Sequence, residues 1–112
     1  MIKYFDVEYL SDAIEFISSH ETDVQEKIYY NITKAGLTKD SELFKKLTGS
    51  EIWEFRTFYK GKKYRLFSFW DENRRAFVLC THGIIKKNDK TPRKEIEKAE
   101  TIRKQYLEHY GK

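Results

Sequence analysis

The chain is short of most of the residues that mark specialised architectures. It has one cysteine, Cys80, in 112 residues. No internal disulfide can form, and a reducing cytoplasm is the simplest compartment. One proline and five glycines exclude collagen-like and low-complexity chains. The longest apolar run, Ala76 to Cys80, is far shorter than the roughly 20 residues a membrane span needs. The first residues, Met1-Ile2-Lys3-Tyr4-Phe5-Asp6, carry an acid early and show no apolar export segment. The three histidines (His20, His82, His109) are scattered, and no paired-cysteine or H-E-x-x-H pattern occurs. No metal site or cofactor is expected. Glycine-rich phosphate loops, dinucleotide fingerprints and serine or cysteine nucleophile signatures are absent too.

Aromatic residues and charge are abundant instead. Eight Phe, eight Tyr and two Trp promise a small aromatic core under a charged surface. Net charge is +4, unevenly spread. Residues 1–44 hold 4 basic and 9 acidic side chains, a balance of −5. Residues 45–94 hold 14 and 5, a balance of +9, and the remainder is neutral. The plain reading of such a run is solubility. An excess of this size over fifty residues favours an anionic partner, a polynucleotide or an acidic protein.

Residues 1–112 read as a single α+β domain. A strand is expected at 2–9, followed by a short helix carrying Ala13, Ile14 and Ile17. A second helix carries Val24, Ile28, Ile32 and Ala35, with Gly36 as its stop. A turn of helix is expected from 40, burying Leu43, Phe44 and Leu47. Three strands follow at 51–59, 62–70 and 75–82, joined by turns at Lys60-Gly61 and Asp71-Glu72-Asn73-Arg74. Thr91 and Pro92 open a last helix with Ile96, Ala99, Ile102, Tyr106 and Leu107 on one stripe. Short turns require antiparallel pairing, so the expected fold is a small antiparallel sheet with the helices packed on one face.

Register locates a basic face. The Lys60-Gly61 turn pairs Trp53 with Ser68, Phe55 with Leu66 and Arg56 with Arg65. Like charges directly opposite each other are destabilising, so this pair either binds an anion or is neutralised by Glu54. A four-residue loop at 71–74 sets Phe67 opposite Val78, Arg65 opposite Cys80 and Lys63 opposite His82, with Phe77 and Leu79 on the helix-covered face. Arg56, Arg65, Lys63 and His82 then share one exposed face. Of Lys86 and Lys87, one faces the site if that stretch is extended, and Lys45 and Lys46 border the other side.

Such a face suits RNA cleavage without a metal, in which the 2′-hydroxyl attacks the neighbouring phosphate. The protein needs a base for that hydroxyl, cations for charge developing on phosphate, and an acid for the 5′-oxygen. Arg56 and Arg65 suit charge stabilisation. The proton-transfer candidates are His82 and a lysine whose pKa is lowered by its cationic neighbours.

Trp53-Glu54-Phe55-Arg56, Tyr64-Arg65-Leu66-Phe67, the run His82-Gly83-Ile84-Ile85-Lys86-Lys87-Asn88-Asp89-Lys90-Thr91-Pro92, and then Ile96 and Ala99 occur in a characteristic order. Over residues 43–107 this resembles the RelE/ParE toxin superfamily, in particular its HigB-like, phage-derived branch. The resemblance implies a small cytoplasmic toxin of a type II toxin–antitoxin module, with a compact α+β fold and a curved antiparallel sheet. It implies an mRNA endoribonuclease, commonly acting on the ribosome, neutralised by a cognate antitoxin. The family's basic positions map onto Arg56, Arg65, Lys86 and Lys87, with Lys63, Lys45, Lys46 and Lys90 as further RNA contacts. Ile84 replaces the usual aromatic after the glycine, and a histidine cluster seen in some members is missing. A ParE-type gyrase inhibitor without nuclease activity and a degenerate antitoxin-binding module are the alternatives.

Overall fold

The structure, a computed structural model, describes residues 2–110. Its centre is a hairpin of β3 (Trp53–Tyr59) and β4 (Lys62–Trp70). Lys60 (φ 48°) and Gly61 (φ 78°) are both left-handed, the conformation of a tight turn whose twist matches its strands. The expected register follows, with Trp53 opposite Ser68 and Arg56 opposite Arg65.

The next hairpin departs from expectation. β5 runs Phe77–Lys86, and its pairs with β4 are Lys63–Lys86, Arg65–Ile84, Phe67–His82 and, past a bulge, Ser68–Cys80. His82 is therefore not opposite Lys63, nor Cys80 opposite Arg65. Asp71 organises a longer loop than the four residues expected. Its carboxylate accepts the Asn73 N–H (2.9 Å), its carbonyl accepts the Arg74 N–H (3.1 Å), and its own N–H reaches the Phe77 carbonyl (2.9 Å). That loop sets Trp70 opposite Val78, not Arg75, a shift of three residues, and an odd shift inverts the side chains of Phe77–Cys80. A bulge at Thr81 then adds one residue and returns His82 to the face of Arg65. Cys80 and Val78 consequently join one core, while Leu79 and Phe77 join another.

Those two cores correct the expectation of helices on one face. α1 (Ser11–Ser18) and α2 (Thr22–Thr38) cover Phe55, Tyr64, Leu66, Val78 and Cys80. α3 (Arg93–Tyr110) lies on the opposite face, where Ala99, Ile96 and Tyr106 pack on Ile52, Phe67, Phe69 and Leu79. Alternate positions of β4 are apolar on both sides, so each face needs a cover. Fully burying a side chain such as Phe67 or Leu79 contributes roughly 1.5–3 kcal/mol.

The edges also differ. β1 (Asp6–Tyr9) lies parallel to β5, so the five-stranded sheet is mixed, in the order β1-β5-β4-β3-β2. Tight turns force antiparallel pairing only where they occur, and two helices separate β1 from the other strands. The turn of helix expected from 40 is instead followed by β2 (Phe44–Lys46), antiparallel to β3. Phe44 stacks on Phe55 at 4.2 Å and on Trp53 at 4.8 Å, which an extended segment at the sheet edge permits. α2 passes through Gly36 and stops where Lys39 turns left-handed (φ 57°). Among the described residues no helix is long and apolar enough to cross a membrane.

Gly83 is where α1 meets β5. A Cβ built on it would fall 2.2 Å from the Phe16 ring, so only glycine fits. Gly83→Ala should lower unfolding stability by about 1–3 kcal/mol, read as a lower urea midpoint. Phe16→Ala in the same chain should recover part of that loss as a coupling term. An unchanged midpoint would contradict the contact.

Candidate functional site

The β3–β4 register brings Arg56 and Arg65 face to face, with Glu54 between them. Glu54 Oε1 lies 3.4 Å from Arg65 Nε and 3.6 Å from Arg56 Nε. At Arg65 the contact is ionic and lacks hydrogen-bond geometry. Arg65 Nη1 donates to the Tyr64 carbonyl at 3.3 Å. The Thr91 hydroxyl, on the segment leading into α3, donates to Glu54 Oε2 at 3.2 Å.

Exposure separates the two arginines. The Arg56 side chain is 29% exposed, Arg65 only 6% and Glu54 5%. The expectation of a fully open face is thus corrected: Arg65 forms the floor and Arg56 the accessible wall. A groove of about 390 Å³ opens there, lined by Arg56, Arg65, Lys63, Phe58, Lys34 and Asn31. Lys34 and Asn31 come from α2, and nothing in their sequence neighbourhood marked them.

Lys86 is the lysine that faces this site. It ends β5 opposite Lys63, on the Arg65 side of the sheet. Burial lowers its pKa from the ordinary value, and Arg65, Arg56 and Lys63 add to that, against the pull of Glu54. Burial also lowers the pKa of Arg65, with Arg56 reinforcing and Glu54 opposing. Lys63 pairs with Asp89 at 3.9 Å. Lys87 and Lys90 are exposed beyond the strand. Lys45 pairs with Glu54 across β2–β3 and shares the site's face, whereas Lys46 pairs with Trp53 and lies on the other.

His82 shares the face of Arg65, but it is buried under α3, not exposed. Thr81 Oγ1 meets its Nδ1 at 2.9 Å and Glu95 Oε1 its Nε2 at 3.2 Å. Burial and then Lys98 push its pKa down, against Glu95 and Asp12. Nothing in the residues around His82 marks the crossing of α3 over it. Among the described residues no group of three or more His, Cys, Asp or Glu could hold a metal ion.

A family model described as "Phage derived protein Gp49-like (DUF891)" matches residues 15–104. A chain in the crystal structure of the intact E. coli RelBE toxin–antitoxin complex has the same fold, with a TM-score of 0.56 at 15% identity. The match covers 76% of this chain and 99% of that one. None of the curated proteins compared matches. The resemblance read from the central motifs is borne out at the level of family and fold.

A histidine kept neutral by the fold has a definite pH signature. The unfolded chain takes up a proton near the ordinary histidine pKa of about 6.5, which the folded chain resists. Stability is therefore lost as pH falls through that value towards the lowered folded pKa. His20, also lowered by burial and by Lys62, adds to the effect. The urea midpoint should drop between about pH 7.5 and 5.5, and His82→Gln should shrink that drop. A pH-independent midpoint in the unmodified protein would contradict it.

Proposed function

This chain belongs to the phage-derived Gp49-like family, and on that premise we propose that it is a toxin of a type II toxin–antitoxin system. The reading is of a HigB-like, metal-independent mRNA endoribonuclease that acts on the ribosome in the cytoplasm. The observation that carries it is the pair Arg56 and Arg65, opposed on one sheet face beside Lys86. A structural relative from a toxin–antitoxin complex supports the toxin class and an antitoxin partner. That antitoxin would be acidic where it covers this face, and the complex would loosen with salt.

In this mechanism the RNA supplies its own nucleophile. Lys86, whose ammonium is disfavoured by burial and neighbouring cations, takes the proton from the 2′-hydroxyl. The hydroxyl oxygen bonds to phosphorus, and the guanidinium groups of Arg56 and Arg65 stabilise the charge that builds on the phosphate oxygens. The bond to the 5′-oxygen breaks, and that oxygen receives a proton from Lys63, which stands opposite Lys86. A 2′,3′-cyclic phosphate and a 5′-hydroxyl are left. His82 supports the wall of the site from beneath α3, and Lys45, Lys87 and Lys90 guide the strand.

Arg56→Ala with Arg65→Ala should cut mRNA cleavage in a translating extract by about 100-fold or more, with circular dichroism confirming the fold. Full cleavage by that variant would refute the site. A normal mRNA pattern alongside blocked gyrase supercoiling would refute the nuclease reading in favour of a ParE-type target.

Lys86→Met should cost about 10²–10⁴ in cleavage rate. The rate in the unmodified protein should rise with pH to a plateau reached below the ordinary lysine pKa, and the variant should lose that rise. An unchanged pH profile would remove Lys86 as the base.

A further inference from the structure

A carboxylate at the centre of a face that gathers cations opposes polyanion binding. Glu54 is nevertheless buried there, 5% exposed, and its contacts are polar or ionic: Arg65 and Arg56 on one oxygen, the Thr91 hydroxyl on the other. Two guanidinium groups directly across a strand pair repel each other. A buried carboxylate needs partners of this kind to be tolerated. Each need satisfies the other. Both arginines meet Glu54 through Nε, which leaves the terminal Nη groups of Arg56 without a protein partner among the described residues.

We propose that Glu54, fixed by Thr91, is a positioning residue that holds the two arginines together and turns the free edge of Arg56 to the scissile phosphate. The inference rests on the reading of this face as an RNA-cleaving site. Thr91 belongs to the segment that enters α3, so the docking of that helix sets the orientation of the carboxylate and, through it, of both guanidinium groups. An acid here trades affinity for order. It weakens the grip on the RNA backbone and sharpens the geometry at one phosphate.

The trade can be measured with Glu54→Gln, Thr91→Val and Thr91→Ser. The binding probe is a single-stranded 2′-O-methyl oligoribonucleotide, which cannot be cleaved, and the activity probe is mRNA in a translating extract. Glu54→Gln should bind the oligonucleotide as tightly as the unmodified protein or several-fold tighter, with a salt slope steeper by about one charge. Its cleavage should fall by about 10–100-fold, the scale of a small misplacement at a reacting centre. Thr91→Val should follow with a smaller fall at unchanged affinity, and Thr91→Ser should restore cleavage.

If Glu54→Gln raises binding and cleavage together, the residue acts only through its charge and the inference is overturned. If binding, cleavage and melting temperature fall together in both Glu54→Gln and Thr91→Val, the role is only structural, and the inference is overturned. Should Glu54→Gln fail to fold, Thr91→Val decides. Absence of RNA binding and cleavage in the unmodified protein would instead defeat the proposed function. The positioning is then read from the Nε–Hε resonances of Arg56 and Arg65. Their solvent exchange should quicken in Thr91→Val, and unchanged exchange would overturn the inference.

Discussion

Strand β4 is buried on both faces from Tyr64 to Phe69, and the other elements take their places from that constraint. A strand with apolar side chains on both sides cannot be satisfied by one helical layer. α1 and α2 close one side and α3 the other. Neither layer alone would leave Leu66 and Phe67, adjacent in sequence and opposite in direction, out of water. The fold is in this sense a sandwich built around one nine-residue strand.

The site exists because α3 covers only part of its face. Phe67, Phe69 and Leu79 lie beneath the helix, and His82 is caught at its first turn by Glu95. Towards the Lys60-Gly61 turn the helix has ended and the same face turns polar. There the alternation that buried Phe67 presents Arg65 and Lys63. The boundary between core and site therefore runs across a single strand face. It explains why Arg65 is nearly sealed while Arg56, one strand nearer the edge, is accessible. It also explains the depressed pKa of Lys86, which shares this partly desolvated ground with three other cations.

Much of this was legible in the sequence, for local reasons. Lys60-Gly61 admits one tight turn, and that turn fixes the opposition of Arg56 and Arg65. The stripe through Ile96, Ala99 and Tyr106 marked the inner face of α3, though not the sheet face it would cover. What was hidden depended on contacts between distant residues. The longer loop after Trp70 inverts Cys80 and Leu79, and together with the bulge at Thr81, which has no signature in the surrounding residues, it moves His82 away from Lys63. Phe44 reads as a buried helix residue until Trp53 and Phe55 are seen to stack on it. The bond from Thr91 to Glu54 spans 37 positions. Local pattern marks Thr91 only as a helix cap.

The parallel pairing of β1 with β5 carries a consequence for how the molecule comes into being. Asp6 and Phe77 are about seventy residues apart in the chain yet adjacent in the sheet. Closing so long a loop before any contact repays it is slow. During synthesis β1 must wait for Phe77–Cys80 before it finds its neighbour. The sheet, and with it the anchorage of α1 over Gly83, is completed only after β5 has left the ribosome. The pairing of β1 is therefore a late step in the folding of this sheet.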